Sequence, residues 1–406
     1  MVRLALIALL LPTTASAMSP VIIDSGSLAL EEDTHDKWYD LAWAYAPIHY
    51  QDVDADGAIG DYLTAFDYDG NTIADDNWNN LNDFPRNAVV YWSVAETCTH
   101  WYVTYSFFHP RDWYDNYFDG EHENDLEGIL LIVERDGSEL GNLRGGISVA
   151  HTDFYSWTTW DSPLTSGEES VDGTLWTSWD GDHLRPMTAQ EAEGHGLYAW
   201  GHGRTNFEGE AGQDGAIYYP SQTVSEEPEH GDDRHVSYTL VSTVDTLWSQ
   251  QLDELDLSED DADAYYEFGT FKGDDDDSSD WFEDCGDGLT VICQENAANL
   301  PWSWDDSDDL FVFESTPPFS GTWHSEMPAG MLGLDPARIV DAYFAGLGEF
   351  SDVYSYHPFV RDLRDLGYGE TVPRGFDEDL DLSELTGRIS SLECLSEGSS
   401  SELVMQ

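Results

Sequence analysis

The chain has 406 residues and carries 82 acidic against 15 basic side chains, which gives a formal net charge of −67. A surface this acidic repels nucleic acid and anionic lipid, and both are therefore excluded as electrostatic partners. Hydrophobic residues make up 40% of the chain and aromatic residues 13%, which is enough core material to exclude wholesale disorder. Most acids are expected to form a solvated coat, and specific clusters are candidate ligands for divalent cations.

The first 17 residues, MVRLALIALLLPTTASA, have the pattern of a secretory signal peptide. Arg3 supplies a short positive region, an apolar run follows at 4–11, and small residues at 15–17 form a cleavage site. The apolar run is too short to span a bilayer, and no later stretch is long and apolar enough to do so. We therefore predict a secreted protein, extracellular or periplasmic, without a transmembrane segment.

Residues 34–45 have the apolar spacing of a short helix, and seven runs rich in aromatic and β-branched residues follow. Because turns rather than helices separate these runs, we expect a mainly β fold, an antiparallel β-sandwich with a few short helices. Thr188 and Glu191 have capping-box spacing, and Gly194 follows them, which predicts one short helix there. The predicted strands are 88–94, 101–108, 128–133, 146–150, 196–200, 216–219 and 236–241.

The composition changes after about residue 251, where an acidic segment at 273–288 begins a different kind of sequence. Farther on, 334–348 predicts a helix with Asp335 at its cap and Pro336 at its first position. The last residues are rich in serine and are expected to be disordered. The expected organisation is a signal peptide (1–17), a β-sandwich (18–250), a C-terminal extension packed on it (251–394) and a tail (395–406).

The chain has four cysteines: Cys98, Cys285, Cys293 and Cys394. An even number in an exported protein makes disulfide bonds the expected state. Cys285 and Cys293 close a short loop and are the favoured pair, whereas a bond between Cys98 and Cys394 follows only by elimination. No CxxC motif occurs, so the sequence supports neither a zinc ribbon nor a thioredoxin-type motif.

The segment HENDLEGILLIV (122–133) is apolar on both faces but begins with charged residues. In an extended chain Asp125 and Glu127 share a face with the odd-numbered apolar residues that follow them. A strand of this kind lies inside a sheet, and its charged start lies at the rim. With His122, the two carboxylates form a set suited to a divalent cation, Ca²⁺ or Mg²⁺, which would remove their mutual repulsion. The alternative is a solvated strand entrance.

Three segments in order resemble signatures of the necrosis- and ethylene-inducing-like proteins. They are TYSFFHPRD (104–112), the HENDLEGILLIV segment and GISVAHTDFYSW (146–157), and YAPIHYQD (45–52) is similar to the opening of that family. The His-x-x-Asp-x-Glu pattern also occurs in related vacuolar-sorting-type proteins. The resemblance covers roughly residues 41–205 and has no counterpart for the extension after 251.

The resemblance implies a β-sandwich of secreted, plant-active cytolysins that hold a divalent cation and recognise sphingolipid headgroups. Asp112, His122, Asp125 and Glu127 match the metal-side residues of the family, and His151 matches a downstream histidine that would support or complete the site. The arginine, one histidine and the tryptophan of the family's heptapeptide are missing here, which puts the choice of lipid or sugar in doubt. The implied partner is a membrane headgroup or a glycan.

Residues 52–57, DVDADG, copy the first half of a calcium loop, with Asp52, Asp54 and Asp56 at the ligand positions. The loop's twelfth position is Leu63 rather than a glutamate, so a true EF-hand is not expected. A weak calcium-binding turn and a plain aspartate-rich turn remain the two interpretations.

The segment HGLYAWGHG (195–203) contains two histidines seven residues apart. In a strand they would face opposite sides, which argues against a joint metal site. His202 is therefore considered on its own, as a candidate ligand that approaches the main cluster from a neighbouring strand. The alternative is an ordinary loop histidine.

Trp302 and Trp304 lie in PWSWDDSDDL, a segment that joins two tryptophans to four aspartates. Aromatic faces pack on the apolar faces of sugars, and carboxylates accept hydroxyl donors, so a glycan platform is one interpretation. The other, which the composition favours, is a pair of structural tryptophans that anchor the extension.

No HExxH, G-x-S-x-G, P-loop or Rossmann motif occurs, and the sequence does not identify an enzyme. The leading hypothesis is a cation-dependent protein that binds headgroups or glycans and permeabilises its target. A metal-assisted hydrolase, with Glu127 or His122 moving protons, is the first alternative. A structural or adhesive module braced by calcium is the second.

Overall fold

The computed structural model describes residues 32–54, 59–113, 122–151, 153–201, 215–258, 260–273, 298–306, 330–368 and 382–388. Within these ranges strands dominate, and the expectation of a mainly β fold is confirmed. The strands are β1 (Ile48–Gln51), β2 (Val89–Thr97), β3 (His100–Asp112), β4 (His122–Glu134), β5 (Asn142–Ala150), β6 (Asp153–Thr158), β7 (Thr165–Ser166), β8 (Gly173–Thr174), β9 (Thr177–Trp179), β10 (Leu184–Gln190), β11 (Leu197–Ala199), β12 (Ala216–Pro220), β13 (Val236–Ser242), β14 (Tyr265–Glu267), β15 (Thr270–Phe271), β16 (Phe344–Ala345) and β17 (Tyr354–Tyr356).

The helices of the described residues are short. A 3-10 turn at Ala74–Asp76 and a π-helical turn at Val244–Trp248 add to them. The α-helices are α1 (Glu32–Tyr45), α2 (Asn77–Asn80), α3 (Ser249–Glu254), α4 (Met331–Leu334), α5 (Pro336–Tyr343), α6 (Pro358–Asp365) and α7 (Leu382–Arg388). None of these helices is both long and apolar enough to cross a membrane.

One mixed sheet of thirteen strands forms the centre of the described fold, in the order β11-β10-β1-β12-β13-β2-β3-β4-β5-β6-β8. Strands β9 and β17 join it beside β10 and β2. Neighbours from β2 to β6 are antiparallel, but β1–β10, β12–β13, β13–β2 and β6–β8 are parallel. β11 contacts β4 and β5, so the sheet curls back on itself. The predicted antiparallel sandwich is therefore corrected: the described strands form a curled mixed sheet. Its parallel pairs arise because long connections bring the chain back so that neighbouring strands run in the same direction.

Each of the seven predicted strands overlaps an observed one, and the predicted leading helix is α1. The short helix predicted from Thr188 to Gly194 is wrong. Thr188 lies in β10, where it pairs with His49 on one side and with Ala199 on the other. Hydrogen bonding to two neighbouring strands outweighs a local capping signal, which contributes only about 1 kcal/mol.

Two hydrophobic cores lie on opposite faces of the sheet. The odd-numbered residues of β4, such as Leu131, pack with α1 and with β11 to β13 inside the curl. The even-numbered residues, such as Leu130, pack on the other face against segments from 264 to 385. The alternation predicted for this strand is confirmed, and the described residues of the C-terminal region cover its outer face. The boundary at residue 250 itself stays a prediction.

The helix predicted near residue 334 is α5, with Pro336 at its first turn, and it ends at Tyr343. Asp335 precedes it but makes no side-chain cap. Its carboxylate accepts a hydrogen bond from the Tyr354 hydroxyl at 2.7 Å and pairs with Arg388. Asp335 therefore ties three C-terminal segments together rather than capping one helix.

Cys98 is disulfide-bonded, and it is the one cysteine within the described ranges. Cys285, Cys293 and Cys394 lie outside these ranges, so both predicted pairings stay predictions. The predicted signal peptide and the predicted tail lie outside them as well, and both stay predictions.

Candidate functional site

The charged residues at the start of β4 lie at the rim of the sheet, where β3 ends. Cα pairing in this ladder places Asp112 opposite His122 and His109 opposite Asp125. The carboxylates of Asp112, Asp125 and Glu127 are almost completely buried. We call the set Asp112, His122, Asp125 and Glu127 the β4 cluster. Asp112 and His122 stand on the facing ends of β3 and β4, and Asp125 and Glu127 share one face of β4. The four side chains therefore reach one region.

His122 and Asp112 form the solvent edge of the β4 cluster. The Nε2 atom of His122 lies 3.6 Å from Oδ2 of Asp112, and the two side chains are 15% and 10% exposed. The Nδ1 atom of His122 lies 3.1 Å from the carbonyl oxygen of Asn124. A carbonyl can only accept, so Nδ1 carries the proton of the neutral ring and leaves Nε2 as an acceptor or ligand. This is the usual way in which a backbone oxygen orients a metal-binding histidine.

His195 bridges two buried carboxylates. Its Nδ1 lies 2.9 Å from Asp125 and its Nε2 lies 3.1 Å from Asp61, and the imidazole is fully buried. Burial acts to lower the pKa of His195, but hydrogen bonds to Asp125 and Asp61 raise it to about 10. Burial likewise acts to raise the pKa of Asp125, and the His195 contact lowers it. His195 is therefore protonated at neutral pH, and its single positive charge partly offsets the two buried carboxylates of this Asp61–His195–Asp125 triad.

Asp61 holds this triad to the loops around it. Its Oδ1 also accepts the indole N–H of Trp113 at 2.8 Å and the backbone N–H of Glu193 at 2.9 Å. Its Oδ2 accepts the backbone N–H of Asp54 at 2.8 Å. A carboxylate that accepts this many donors is fixed in place, and it fixes the loop that carries His195.

Glu127 is the least satisfied member of the β4 cluster. Its Oε1 accepts the backbone N–H of His151 at 2.6 Å, while Oε2 is buried without a hydrogen-bond partner among the described residues. Burial first, and then the charge of Asp125, raises the pKa of Glu127 well above its ordinary value. Glu191 and Asp112 act in the same direction. A buried carboxyl with a free oxygen beside other carboxylates is an arrangement that a cation would stabilise.

His151 links the β4 cluster to the β10–β11 connection. Its backbone has a φ of 60°, which lets its N–H point at Glu127, and its Nε2 lies 2.8 Å from Oε1 of Glu191. Burial acts to lower the pKa of His151, but its hydrogen bond to Glu191 and the charge of that carboxylate raise the pKa overall. A Cβ atom at Gly194 would come within 2.8 Å of the His151 ring, so this close approach requires glycine.

A second buried histidine stacks on the triad. The rings of His109 and His195 are 3.8 Å apart and nearly parallel, and Nε2 of His109 lies 3.1 Å from Oε1 of Gln190. Burial, followed by the charge of His195, lowers the pKa of His109 well below its ordinary value. The site therefore pairs a neutral imidazole with a protonated one.

The remaining sequence-predicted site residues lie elsewhere or outside the described ranges. Asp52 accepts the backbone N–H of Val53, while Asp56 and His202 are outside these ranges. The glycan platform at Trp302 and Trp304 is corrected, because both indoles are buried in the outer core at 0% and 2% exposure and present no face to a sugar. They anchor the C-terminal region, as the alternative interpretation held.

Sequence reasoning missed Asp61, Glu191 and the bridging role of His195. His195 stood in a noticed motif, and its flanking glycines were the available signal, since they permit close packing around it. Asp61 and Glu191 had no such signal in a chain with 82 acids. Only their contacts in the folded protein identify Asp61 and Glu191 as part of the site.

The donor chemistry of the β4 cluster fits a divalent cation, with three carboxylates and one oriented imidazole. In the part of the chain that the structure describes, no three His, Cys, Asp or Glu residues have the spacing of a formed metal site. Asp125 is directed at His195 instead. A cation held by these four residues therefore stays a prediction.

No family model and no curated protein matches this chain, but solved structures do. One is described as "Crystal structure of Necrosis and Ethylene inducing Protein 2 from the causal agent of cocoa's Witches Broom disease". It is 16% identical, with 28% of this chain and 45% of that chain covered and a TM-score of 0.20. "Toxin fold for microbial attack and plant defense" is 13% identical, with 55% and 81% covered and a TM-score of 0.27. "NLPPya in complex with glucosamine" is 16% identical, with 50% and 73% covered and a TM-score of 0.26.

These matched structures come from the family that the three sequence motifs resemble. Their TM-scores, from 0.20 to 0.27, are too low to carry an argument about this chain. The match to the first of them spans less than half of that protein's length. What the site can do is therefore argued from its own residues.

Proposed function

We propose that this protein is a secreted, divalent-cation-dependent binding protein that engages membrane headgroups or glycans at the β4 cluster. The observation that carries the proposal is the buried carboxyl of Glu127, with one oxygen unpartnered among the described residues beside Asp125, Asp112 and Glu191. Leaving such a group unsatisfied costs about 1–3 kcal/mol or more. A bound cation would offset that cost.

The proposed ligands divide into two roles. Asp125 and Glu127 would supply buried oxygens, whereas Asp112 and His122 would hold the side nearer to solvent, where both remain partly exposed. A bound cation would present open coordination positions to hydroxyl or phosphate oxygens of a ligand. The protein would contribute the orientation, because His122 is fixed by the Asn124 carbonyl and Glu127 by the His151 backbone.

The test is calorimetric titration of Ca²⁺ and of Mg²⁺ into the mature protein in about 1 M salt, where the Debye length is about 3 Å and diffuse attraction to the acidic coat is suppressed. We expect one saturable site that Glu127→Gln and Asp125→Asn each weaken at least about tenfold, since each removes a charged ligand. Glu139→Gln, which changes an exposed acid on a loop, is the matched control and should bind as the parent does. Identical isotherms for all four proteins would overturn the proposal.

The proposed binding of membrane headgroups or glycans needs a separate measurement. Binding to neutral-lipid vesicles and to a glycan array would be compared in Ca²⁺ and in EDTA. Binding that requires the cation and is lost in Glu127→Gln supports the proposal. A cation that raises the melting temperature but changes no binding would instead assign the cluster to bracing the fold.

A further inference from the structure

Several large aromatic side chains are exposed in or next to strands β1, β6, β9 and β11. Trp160 is 84% exposed, Trp176 46% and Trp200 37%. Tyr50 is half-buried and points outward, since its neighbours His49 and Gln51 in β1 are fully buried on the inner side. We call Trp160, Trp176, Trp200 and Tyr50 the aromatic strip.

The four rings form two contacting pairs. Trp160 and Trp176 are near-parallel, with ring centroids 6.4 Å apart, and Trp200 lies 5.4 Å from Tyr50. The backbone of Met187 joins the two pairs, because its N–H donates to Trp176 and its carbonyl accepts from Trp200. The N–H and carbonyl of one strand residue point to the same side, so Trp176 and Trp200 lie next to each other along one side of β10. The strip is thus one aromatic patch.

Folding alone gives no reason for this exposure. A tryptophan buries a large apolar area when it packs, and this chain buries others, such as Trp302 and Trp248, completely. Contiguous exposed aromatic surface in a soluble domain marks a binding site. A patch of several exposed rings suits a ligand that presents more than one flat apolar face.

The net charge of the chain restricts the classes of ligand that the strip can bind. The net charge of −67 repels anionic polysaccharides, anionic lipid and a second copy of this chain. The strip is bordered by polar groups, since exposed Asp161 follows Trp160, and partly exposed Thr177 and Ser178 follow Trp176. Carboxylates and hydroxyls hydrogen-bond sugar hydroxyls, whereas inserting them into a lipid bilayer carries a desolvation cost.

We propose that the aromatic strip is a second binding site, for chains of neutral sugars, and that it works without a cation. Pyranose rings stack their apolar faces on the indoles, and the bordering polar groups accept and donate hydrogen bonds to the ring hydroxyls. This site is independent of the proposed function of the β4 cluster, from which it differs in residues, charge and exposure.

The test is retention on insoluble neutral polysaccharides (cellulose, chitin, mannan and β-glucan), followed by calorimetry with soluble oligomers of any that bind. Both are done in EDTA and about 1 M salt, which suppresses electrostatic attraction. We expect the parent protein to bind at least one of them. Trp160→Ala and Trp176→Ala should each weaken binding about tenfold, which is the upper range for one aromatic stacking contact. The double variant should not bind.

Two controls make the outcome specific. Phe84→Ala removes an exposed aromatic of the same 37% exposure as Trp200, on the segment before β2, and should leave binding unchanged. Glu127→Gln should also bind as the parent does, which separates this site from the β4 cluster. Because Trp160 is almost fully exposed, its variant is expected to fold, and an unchanged melting temperature checks this.

Three results would overturn the proposal. The first is that the parent protein is retained on none of the neutral polysaccharides. The second is that the double variant binds as tightly as the parent. The third is that loss of the strip abolishes binding to neutral phosphatidylcholine vesicles while polysaccharide binding persists, which would assign the surface to membranes.

Discussion

The β4 cluster and the aromatic strip both depart from the usual rule that polar side chains are exposed and apolar ones buried, but in opposite directions. In the cluster, Asp125, Glu127 and His195 are charged or titratable groups inside the fold. In the strip, Trp160 and Trp176 are large apolar groups outside it. His195 offsets only part of the negative charge that is buried in and beside the cluster, whereas the indoles of the strip leave apolar surface exposed to solvent. Each departure needs something that the fold itself does not supply, and both are therefore candidate binding sites.

The largest effect is expected from His195→Ala in EDTA at pH 7. Removal of the imidazole leaves Asp125 and Asp61 buried without their shared cation, and breaking such a pair costs about 3–5 kcal/mol of unfolding free energy. Urea unfolding measures it. The double variant His195→Ala/Asp125→Asn should recover part of the loss, since one uncompensated charge is removed. A loss below about 1 kcal/mol in the single variant, the level of an exposed pair, would mean that His195 does not offset the charge of the two carboxylates.

The second prediction concerns His357, a buried histidine whose pKa is shifted in the opposite direction to that of His195. Burial lowers the pKa of His357 to about 3, so this ring must stay neutral in the folded state. The unfolded chain therefore binds more protons between about pH 6.5 and pH 3. Stability contributed by His357 is present above about pH 6.5 and is lost as the pH falls through that window, by up to about 1.4 kcal/mol per unit.

The measurement is urea unfolding of the parent and of His357→Gln between pH 4.5 and 7.5. The variant should show a shallower loss of stability on acidification, because one group that must charge on unfolding is gone. His230→Gln, at a side chain 66% exposed, is the control and should follow the parent. Parallel curves for His357→Gln and the parent would contradict the prediction.

The smallest effect on stability is expected in the aromatic strip. Trp160→Ala should change the free energy of unfolding by no more than about 0.5 kcal/mol, as for most surface substitutions. Trp302→Ala is the matched buried change and should cost about 3–5 kcal/mol, because Trp302 packs on Trp248 and Phe359. A large loss in Trp160→Ala would show that the strip supports the fold, and binding would no longer be needed to explain its exposure.

Local patterns in the sequence identified much of the fold. The period-two alternation of β4 predicted which of its residues face each core, and Pro336 predicted the start of α5. The same reasoning failed at Thr188, where a capping signal of a few atoms competed with two neighbouring strands. At Trp302 and Trp304 it left two interpretations open, and the burial of both indoles agrees with the favoured one, that of structural tryptophans.

The sequence by itself predicted the strand segments and grouped His122, Asp125 and Glu127, since these depend on neighbours in the chain, whereas Asp112 was added by the family resemblance. Tertiary structure alone decided that His195 joins Asp125 to Asp61, and that the pairs Trp160–Trp176 and Trp200–Tyr50 adjoin each other. It also decided the parallel pairings that curl the sheet. The reason is physical: periodicity records which face a residue occupies, whereas contacts between segments many residues apart depend on how the sheet closes.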